Sequence, residues 1–229
     1  IIKRVYAIGL SPFLMNVCAC IVVVFINRAL LDYGGDEGNL AVGAYGIVNR
    51  TTMFFVMIVF GVTQGMQPIL GFNYGANQWK RVKSTFYMGV KIGVVITCVG
   101  FLVTEIFPDQ ISRMFTTDPT LIEIARSGFR VYFICYPVVG CQIVIQNFFQ
   151  SIGKPKISIF LSLTRQLLFL IPFLLILPRY FQVDGVWASM AASDLLACIV
   201  AVGTAIYMIK HLNKHFAGIK PIESSAGNI

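Results

Sequence analysis

Six long apolar runs, separated by short polar loops, constrain the fold of this chain more than any other feature. A helix needs about 20 mainly apolar residues to cross the roughly 30 Å hydrocarbon core of a bilayer. Helices that span a membrane are therefore predicted at 8–31, 40–72, 84–107, 120–150, 156–178 and 185–209. Lys91 interrupts the third run, but a lysine near a helix end can extend its ammonium group to the interface, so the span is kept.

The amount of apolar surface excludes a water-soluble fold. Apolar residues make up 57% of the 229 residues and charged residues only 12%, whereas a soluble domain carries about 25% charged residues. Helices that are apolar on all sides need burial all round, and a β-barrel is disfavoured because the runs are long and unalternating. The sequence predicts an all-α polytopic membrane protein, with a bundle of six transmembrane helices in residues 1–209 and a cytoplasmic tail in 210–229.

The basic residues predict how the bundle is oriented. Cytoplasmic loops of membrane proteins carry an excess of Lys and Arg, and here these residues concentrate at alternate connections and at the ends. They are Lys3, Arg4, Lys80, Arg81, Lys83, Lys154, Lys156, Lys210, Lys214 and Lys220. We expect both ends of the chain to face the cytoplasm, in a multi-pass protein of the cell (inner or plasma) membrane. The net charge of +8 then reflects orientation in the lipid bilayer, not nucleic-acid binding.

Two ionisable residues are predicted to lie deep in the membrane, where charged groups are costly. Asp194 is about ten residues into the sixth helix and Arg165 about nine into the fifth. Each is therefore roughly 13–15 Å from its own end of the span, near the middle of the bilayer. We expect them to face the protein interior and to pair. The pair has two possible roles, as a permanent ion pair that fixes helix packing or as part of ion coupling.

Polar and aromatic side chains mark one face of the fourth helix. Gln142, Gln146 and Gln150 follow one another at intervals of four residues and line a single stripe, which is typical either of a cavity or of a helix–helix contact. The same helix carries Tyr132, Tyr136 and Pro137, and these residues favour the cavity. Pro137 cannot donate its amide hydrogen, so we expect the helix to bend there.

The second helix carries a stripe of a different kind. Asn49, Met53 and Met57 follow one another at intervals of four residues and share a face. Methionine is flexible and suits a promiscuous binding surface, although ordinary packing explains either methionine taken alone. Asn16 is the corresponding polar residue on the first helix.

No constellation of catalytic residues is found in the sequence. It has no Ser-His-Asp set, no glycine-rich phosphate loop and no HExxH motif. His211 and His215 have the spacing of metal ligands, but no third ligand accompanies them. We expect a protein that is not an enzyme and that needs neither a cofactor nor a metal ion.

The end of the second run carries a distinctive motif, QGMQPILGFNYGA, at residues 64–76. It resembles the signature in the second half of MATE (multidrug and toxic compound extrusion) transporters. Residues 44–47, 150–155 and 184–187 resemble the same family, and their order matches the last six of twelve helices. Within the motif, Pro68 and Gly71 are predicted to break the helix, and Gly75 to allow a tight exit into the basic loop. The segment would then shape an inner gate.

The resemblance implies a fold, partners and an activity. MATE transporters consist of two six-helix lobes with a substrate cleft between them, and they export organic, often cationic, compounds in exchange for H⁺ or Na⁺ by alternating access. This chain, which begins with Ile1, would be the C-terminal lobe of a longer polypeptide whose N-terminal lobe is its partner. The candidates for the substrate cavity are Asn16, Asn49, Met53, Met57, Gln64, Gln67, Tyr132, Tyr136, Gln142 and Gln146.

The resemblance departs from one branch of the family, which binds its coupling cation through acids on the first and fourth helices of this lobe. Here the first helix has no acid before Asp32, and the fourth has only Glu123 at its outer edge. Coupling would instead depend on a carboxylate in the N-terminal lobe. Asp194, with Arg165, is the candidate for ion coupling within this chain.

Two other functions stay open from the sequence alone. A flippase for lipid-linked sugars, from the same superfamily, would need a basic cavity, which Arg50, Arg130 and Arg165 leave possible. A structural or channel subunit of the membrane would explain six spans but not the motif at 64–76.

Overall fold

The computed structural model describes residues 2–216. Among them, side chains are described at residue 13 and at 16–213. This part of the chain is helical, with no strand. The helices are α1 (Ile2–Tyr33), α2 (Gly38–Gly75), α3 (Trp79–Ile106), α4 (Pro108–Arg113), α5 (Pro119–Phe133), α6 (Tyr136–Ser151), α7 (Pro155–Leu163), α8 (Ile171–Ile176) and α9 (Pro178–Phe216). A π-helix, Thr164–Leu170, joins α7 to α8, and a short 3₁₀ turn, Gly35–Glu37, precedes α2.

The all-α membrane fold predicted from the apolar runs is confirmed. Five stretches are long and apolar enough to cross a bilayer: α1, α2, α3, the continuous segment Pro155–Ile176, and α9. The helices α5 and α6 together supply a sixth span. The short helix α4 lies between the third and fourth spans and begins with Pro108, a residue well suited to the first turn of a helix.

The fourth span is bent, as the sequence predicts. The axes of α5 and α6 differ by 57°, and the break falls between Phe133 and Tyr136, directly before Pro137. Proline removes one backbone hydrogen bond and its ring collides with the preceding turn, which accounts for the position of the bend.

The second span differs from the prediction, because α2 is one helix that runs through Pro68 and Gly71 to Gly75. Pro68 can lie inside a transmembrane helix because neighbouring groups satisfy the freed backbone. The tight exit is also made elsewhere than expected. The residue with positive φ is Asn77, at 58°, and asparagine tolerates this conformation better than most residues.

The last span also differs from the prediction at both ends. Residue Gln182 interrupts α9 near its start with φ 51° and ψ −129°, which is strained for a residue with a Cβ atom. Beyond 209, the helix continues to Phe216, so it includes the first seven residues that the sequence assigns to the tail. The remainder of the predicted tail, 217–229, lies outside the described residues.

The long helices form a closed ring in which α1 packs on α2, α2 on α3, α3 on α6, α6 on α9, and α9 on α1. Helix α5 fills the space between α2 and α9. Helix α2 also packs directly on α6, and the fifth span packs on α1 and α9.

The two ends of the bundle differ in charge. Acidic residues other than Asp194 and Glu223 lie at the end that holds the connections 34–37, 107–118 and 177–184. There Arg126 binds both carboxylate oxygens of Asp109, and this contact lowers the pKa of Asp109. The other end carries Lys80, Arg81, Lys83, Lys154, Lys156 and Lys210. No acid occurs in 38–104, 124–183 or 195–222, so this end is strongly basic.

The backbones of α3 and α6 approach each other very closely. A Cβ atom on Gly140 would lie 2.3 Å from the carbonyl oxygen of Gly93 and 2.6 Å from Oγ1 of Thr97. The Thr97 hydroxyl lies 3.1 Å from the carbonyl oxygen of Pro137, so it can donate a hydrogen bond across the interface. Small residues permit such approach in membranes, where helix association depends on van der Waals packing and interhelical hydrogen bonds.

We expect Gly140→Ala to destabilise the protein by about 1–3 kcal/mol, the usual range for an overpacked core. The measurement is the midpoint of thermal unfolding in detergent. Gly203→Ala on α9 is the matched control, since nothing lies within 4 Å of its Cβ position. An unchanged midpoint for Gly140→Ala would show that α3 and α6 do not approach as closely as described.

Candidate functional site

A buried ion pair lies at the centre of the lobe. Nε of Arg165 is 2.7 Å from Oδ1 of Asp194, and the hydroxyl of Tyr132 lies 3.3 Å from Oδ2. The Asp194 side chain is 3% exposed and that of Arg165 is 31% exposed. The pairing predicted from the depth of the two residues is therefore present, and both carboxylate oxygens have partners.

Three irregular or tightly packed segments position this pair. Arg165 is the second residue of the π-helix, a form of helix that occurs often at functional sites. Tyr132 is the second-last residue of α5, beside the bend of the fourth span. Asp194 lies in the middle of α9, flanked by the buried Ser193. The ion pair consequently links α9 to the fifth span, and Tyr132 adds the fourth.

Tyr136 extends this contact to α2. Its ring centroid is 6.3 Å from that of Tyr132, and its hydroxyl donates to the carbonyl oxygen of Thr52 at 2.9 Å. Tyr136 is fully buried and Tyr132 is 3% exposed. Both tyrosines are predicted cavity candidates, but the structure places them in the packed interior of the lobe, where they hold helices together.

The predicted glutamine stripe on the fourth span also lies largely inside the lobe. Gln142 is 1% exposed, and Gln146 is partly buried. Both side-chain polar atoms of Gln142 are buried and have no hydrogen-bond partner among the described residues. Oε1 of Gln166, next to Arg165, is in the same condition. Gln142 is predicted from the sequence to line a cavity and Gln166 is not singled out, whereas the structure places Oε1 of both side chains in the core.

The remaining cavity candidates lie on an open face formed by α1 and α2. Met53 is 49% exposed and Met57 is 68% exposed. Asn16, Gln64 and Gln67 are exposed as well, and Asn49 is half-buried. The ten predicted candidates therefore do not form one site, because six belong to this α1–α2 face and four to the α5–α6 span. The members on α1 and α2 are mostly exposed, whereas those on α5 and α6 are buried or partly buried.

The ionisable groups do not assemble a metal site in the part of the chain that the structure describes. No group of three His, Cys, Asp or Glu side chains there could hold a metal ion. Glu123 is exposed at the acidic end and lines a cleft with Glu37 and Asp184. The Asp184 carboxylate accepts a hydrogen bond from Ser127.

Comparison with known proteins gives a consistent result. A family model described as MatE matches residues 7–176. The multidrug export protein MepA of Staphylococcus aureus (strain NCTC 8325 / PS 47) is 24% identical over 211 residues, which are 91% of this chain and 45% of that protein. MepA of Staphylococcus haemolyticus (strain JCSC1435) is 24% identical over 200 residues, 87% of this chain and 43% of that protein. The chain thus spans about half the length of the curated relatives it matches.

Solved structures agree at the level of the fold. A crystal structure described as MATE in the bent conformation has a TM-score of 0.86 and 22% identity, covering 94% of this chain and 47% of that one. A MOP superfamily transporter from Pyrococcus furiosus, described as having a binding pocket of reverse polarity that suggests a different function, has a TM-score of 0.83 and 22% identity, covering 93% and 47%.

A double-mutant cycle separates the contribution of the ion pair from that of each residue. Asp194→Leu leaves Arg165 without its counterion, and we expect a loss of about 3 kcal/mol, near the lower end for a broken buried pair because Arg165 is partly exposed. Arg165→Met with Asp194→Leu should lose less than Asp194→Leu alone, because no unpaired charge remains. The measurement is unfolding in detergent. A double variant as unstable as the sum of the two single variants would mean that the charges do not interact.

Proposed function

The chain belongs to the MATE family, and we propose on that premise that it is one lobe of a multidrug efflux antiporter. The observation that carries the proposal is the match of the MatE model to residues 7–176 in a chain that spans about half the length of its relatives. A second six-helix lobe would complete the transporter, and the substrate would pass between the lobes by alternating access.

We propose the α1–α2 face as this lobe's wall of the substrate cleft. The exposed candidates on it are flexible methionines and uncharged amides, namely Met53, Met57, Gln64 and Gln67, and exposed aromatic side chains such as Phe60 lie among them. Methionine adapts to ligands of different shape, and amide groups can orient a ligand without requiring one charge. This chemistry fits apolar and aromatic organic cations.

The flippase alternative is less well supported by this face. A site for pyrophosphate needs several converging cations, as in other phosphate sites. Arg165 is engaged by Asp194, and Arg130 is exposed on α5, not on α1 or α2. Arg50 is the cation of α2, and a single arginine provides little of the charge that pyrophosphate requires.

The proposed antiport requires a residue that couples transport to H⁺ or Na⁺. Asp194 and Arg165 are its candidates within this lobe, but each already satisfies the other. An entering cation would have to displace the guanidinium group from the carboxylate, which is costly in a buried site. We therefore propose that the main coupling carboxylate lies in the other lobe and that Asp194 responds to it through helix packing.

The orientation predicted from the basic residues is part of the same proposal. The end rich in lysine would face the cytoplasm and the acidic end would face outward, following the rule that positive charge stays inside. Both ends of the chain would then be cytoplasmic, and the cleft would open alternately toward the two charged ends.

Transport by the complete, two-lobed protein tests the proposed activity. In proteoliposomes we expect extrusion of ethidium-like dyes that requires a Na⁺ or a pH gradient. Met57→Trp should lower this transport about tenfold, equivalent to 1.4 kcal/mol, by crowding the cleft. Met88→Trp is the matched control, because Met88 on α3 is similarly exposed, at 62% against 68%, but lies away from α1 and α2. The absence of dye transport under both gradients would contradict the proposal.

Labelling by a membrane-impermeant maleimide tests the orientation. In intact cells we expect Asp36→Cys to react and Lys156→Cys to stay unreacted until the cells are lysed, because the two positions lie at opposite ends of the bundle. The unsubstituted protein reports the background from its own cysteines. Labelling of Lys156→Cys alone in intact cells would mean that the bundle has the reverse orientation.

A further inference from the structure

An apolar groove opens on the lobe outside the α1–α2 face. Helices α3, α6 and α9 line it, and its volume is about 350 Å³. The lining is Phe86, Tyr87, Val90, Cys141, Ile145 and, on α9, the stripe Val202–Asn213. Tyr87 and Ile206 are 52% and 51% exposed, so the groove is open along its length.

The length of the groove matches one leaflet of a bilayer. Its lining residues on α9 run from Val202 to Asn213, which at 1.5 Å per residue is about 16 Å. Half of the roughly 30 Å hydrocarbon core is about 15 Å. Val202 lies eight residues, about 12 Å, beyond Asp194 toward the basic end, so an acyl chain laid along the groove would occupy the part of that leaflet nearest the membrane surface.

Lysines from two helices flank the end of the groove at the membrane surface. Lys210 is part of the lining, and Lys83 precedes Phe86 and Tyr87 by one turn on α3, so it shares their face. Lys91 lies one turn beyond Tyr87, is exposed, and forms no ion pair with any described residue. The nearest stretches of sequence, 38–104 and 195–222, contain no acid. Among the residues that the structure describes, the positive charge at this end thus lacks a counterion.

We propose that this groove binds an anionic phospholipid, with one acyl chain between α3, α6 and α9 and the phosphate between Lys83 and Lys210. The apolar lining accepts the chain, and the two ammonium groups neutralise the headgroup. Basic pockets between transmembrane helices bind anionic headgroups in this manner.

The site goes beyond the proposed transport, because it lies outside the α1–α2 face and uses none of its residues. A lipid there would bridge α3 and α9, two neighbours of α6 in the ring. Since it would bind the folded lobe and not the unfolded chain, it would raise the stability of the protein.

The test uses the complete transporter in nanodiscs of phosphatidylcholine, with or without phosphatidylglycerol. We expect phosphatidylglycerol to raise the midpoint of thermal unfolding and to be retained in native mass spectra. Lys210→Gln should weaken retention about fivefold, and Lys83→Gln by a similar factor. Lys156→Gln is the matched control, because it removes one exposed charge at the same end of the lobe but lies on α7, which does not line the groove.

Further variants and additions distinguish the lipid from other occupants. Val202→Phe fills part of the groove without changing charge, and it should also reduce retention. Inorganic phosphate should not displace the lipid, since it lacks an acyl chain. Equal retention of phosphatidylcholine, displacement by inorganic phosphate, or an equal effect of Lys156→Gln and Lys210→Gln would each overturn the proposal. If Val202→Phe reduced retention but neither lysine variant did, the groove would be a site for neutral apolar molecules, which also contradicts it.

Discussion

The contact between Gly93 and Gly140 determines how the rest of the lobe can be arranged. In lipid the helices gain no hydrophobic free energy by meeting one another, so close packing and a few polar bonds must hold them. A Cβ atom on Gly140 would lie 2.3 Å from the Gly93 carbonyl oxygen, so the backbones of α3 and α6 come as close as residues allow. The same principle recurs at Gly128, which lies against the ring of the buried Trp187, and it fixes α5 on α9.

Once the helices are packed this closely, the polar groups between them have little freedom. Asp194 and Arg165 meet because α9 and the fifth span are held in contact, and the π-helix sets the turn from which Arg165 projects. The hydroxyl of Tyr132 completes the carboxylate's partners from a third helix. A pair that joins spans in this way contributes to the uniqueness of the arrangement, whatever it adds to stability. This role agrees with the limited net stabilisation expected of buried ion pairs.

Much of the fold, but less of the site, could be predicted from the sequence. Span positions follow from length and hydropathy, and the meeting of Arg165 with Asp194 follows from equal depth, because both arguments use only distance along a helix. The burial of Gln142 could not be predicted in this way. Periodicity shows which residues share a stripe, but not whether that stripe faces a cleft or the core. The prediction that Pro68 breaks the second helix was wrong for a similar reason, because the effect of a proline on α2 depends on the neighbouring helices. The groove between α3, α6 and α9 combines residues over 120 positions apart, which no local pattern reveals.

The open α1–α2 face and the buried ion pair belong to one connected set of contacts. Met53, on the open face, follows Thr52, whose carbonyl oxygen accepts the hydrogen bond from Tyr136. The rings of Tyr136 and Tyr132 meet edge to face, and the hydroxyl of Tyr132 lies beside the carboxylate of Asp194. A displacement of α2 relative to the bent span must therefore either carry these tyrosines with it or break the bond to Thr52. Because packed interfaces change between discrete arrangements more readily than they deform, this chain of contacts gives movement at the cleft wall a direct route to the centre of the lobe.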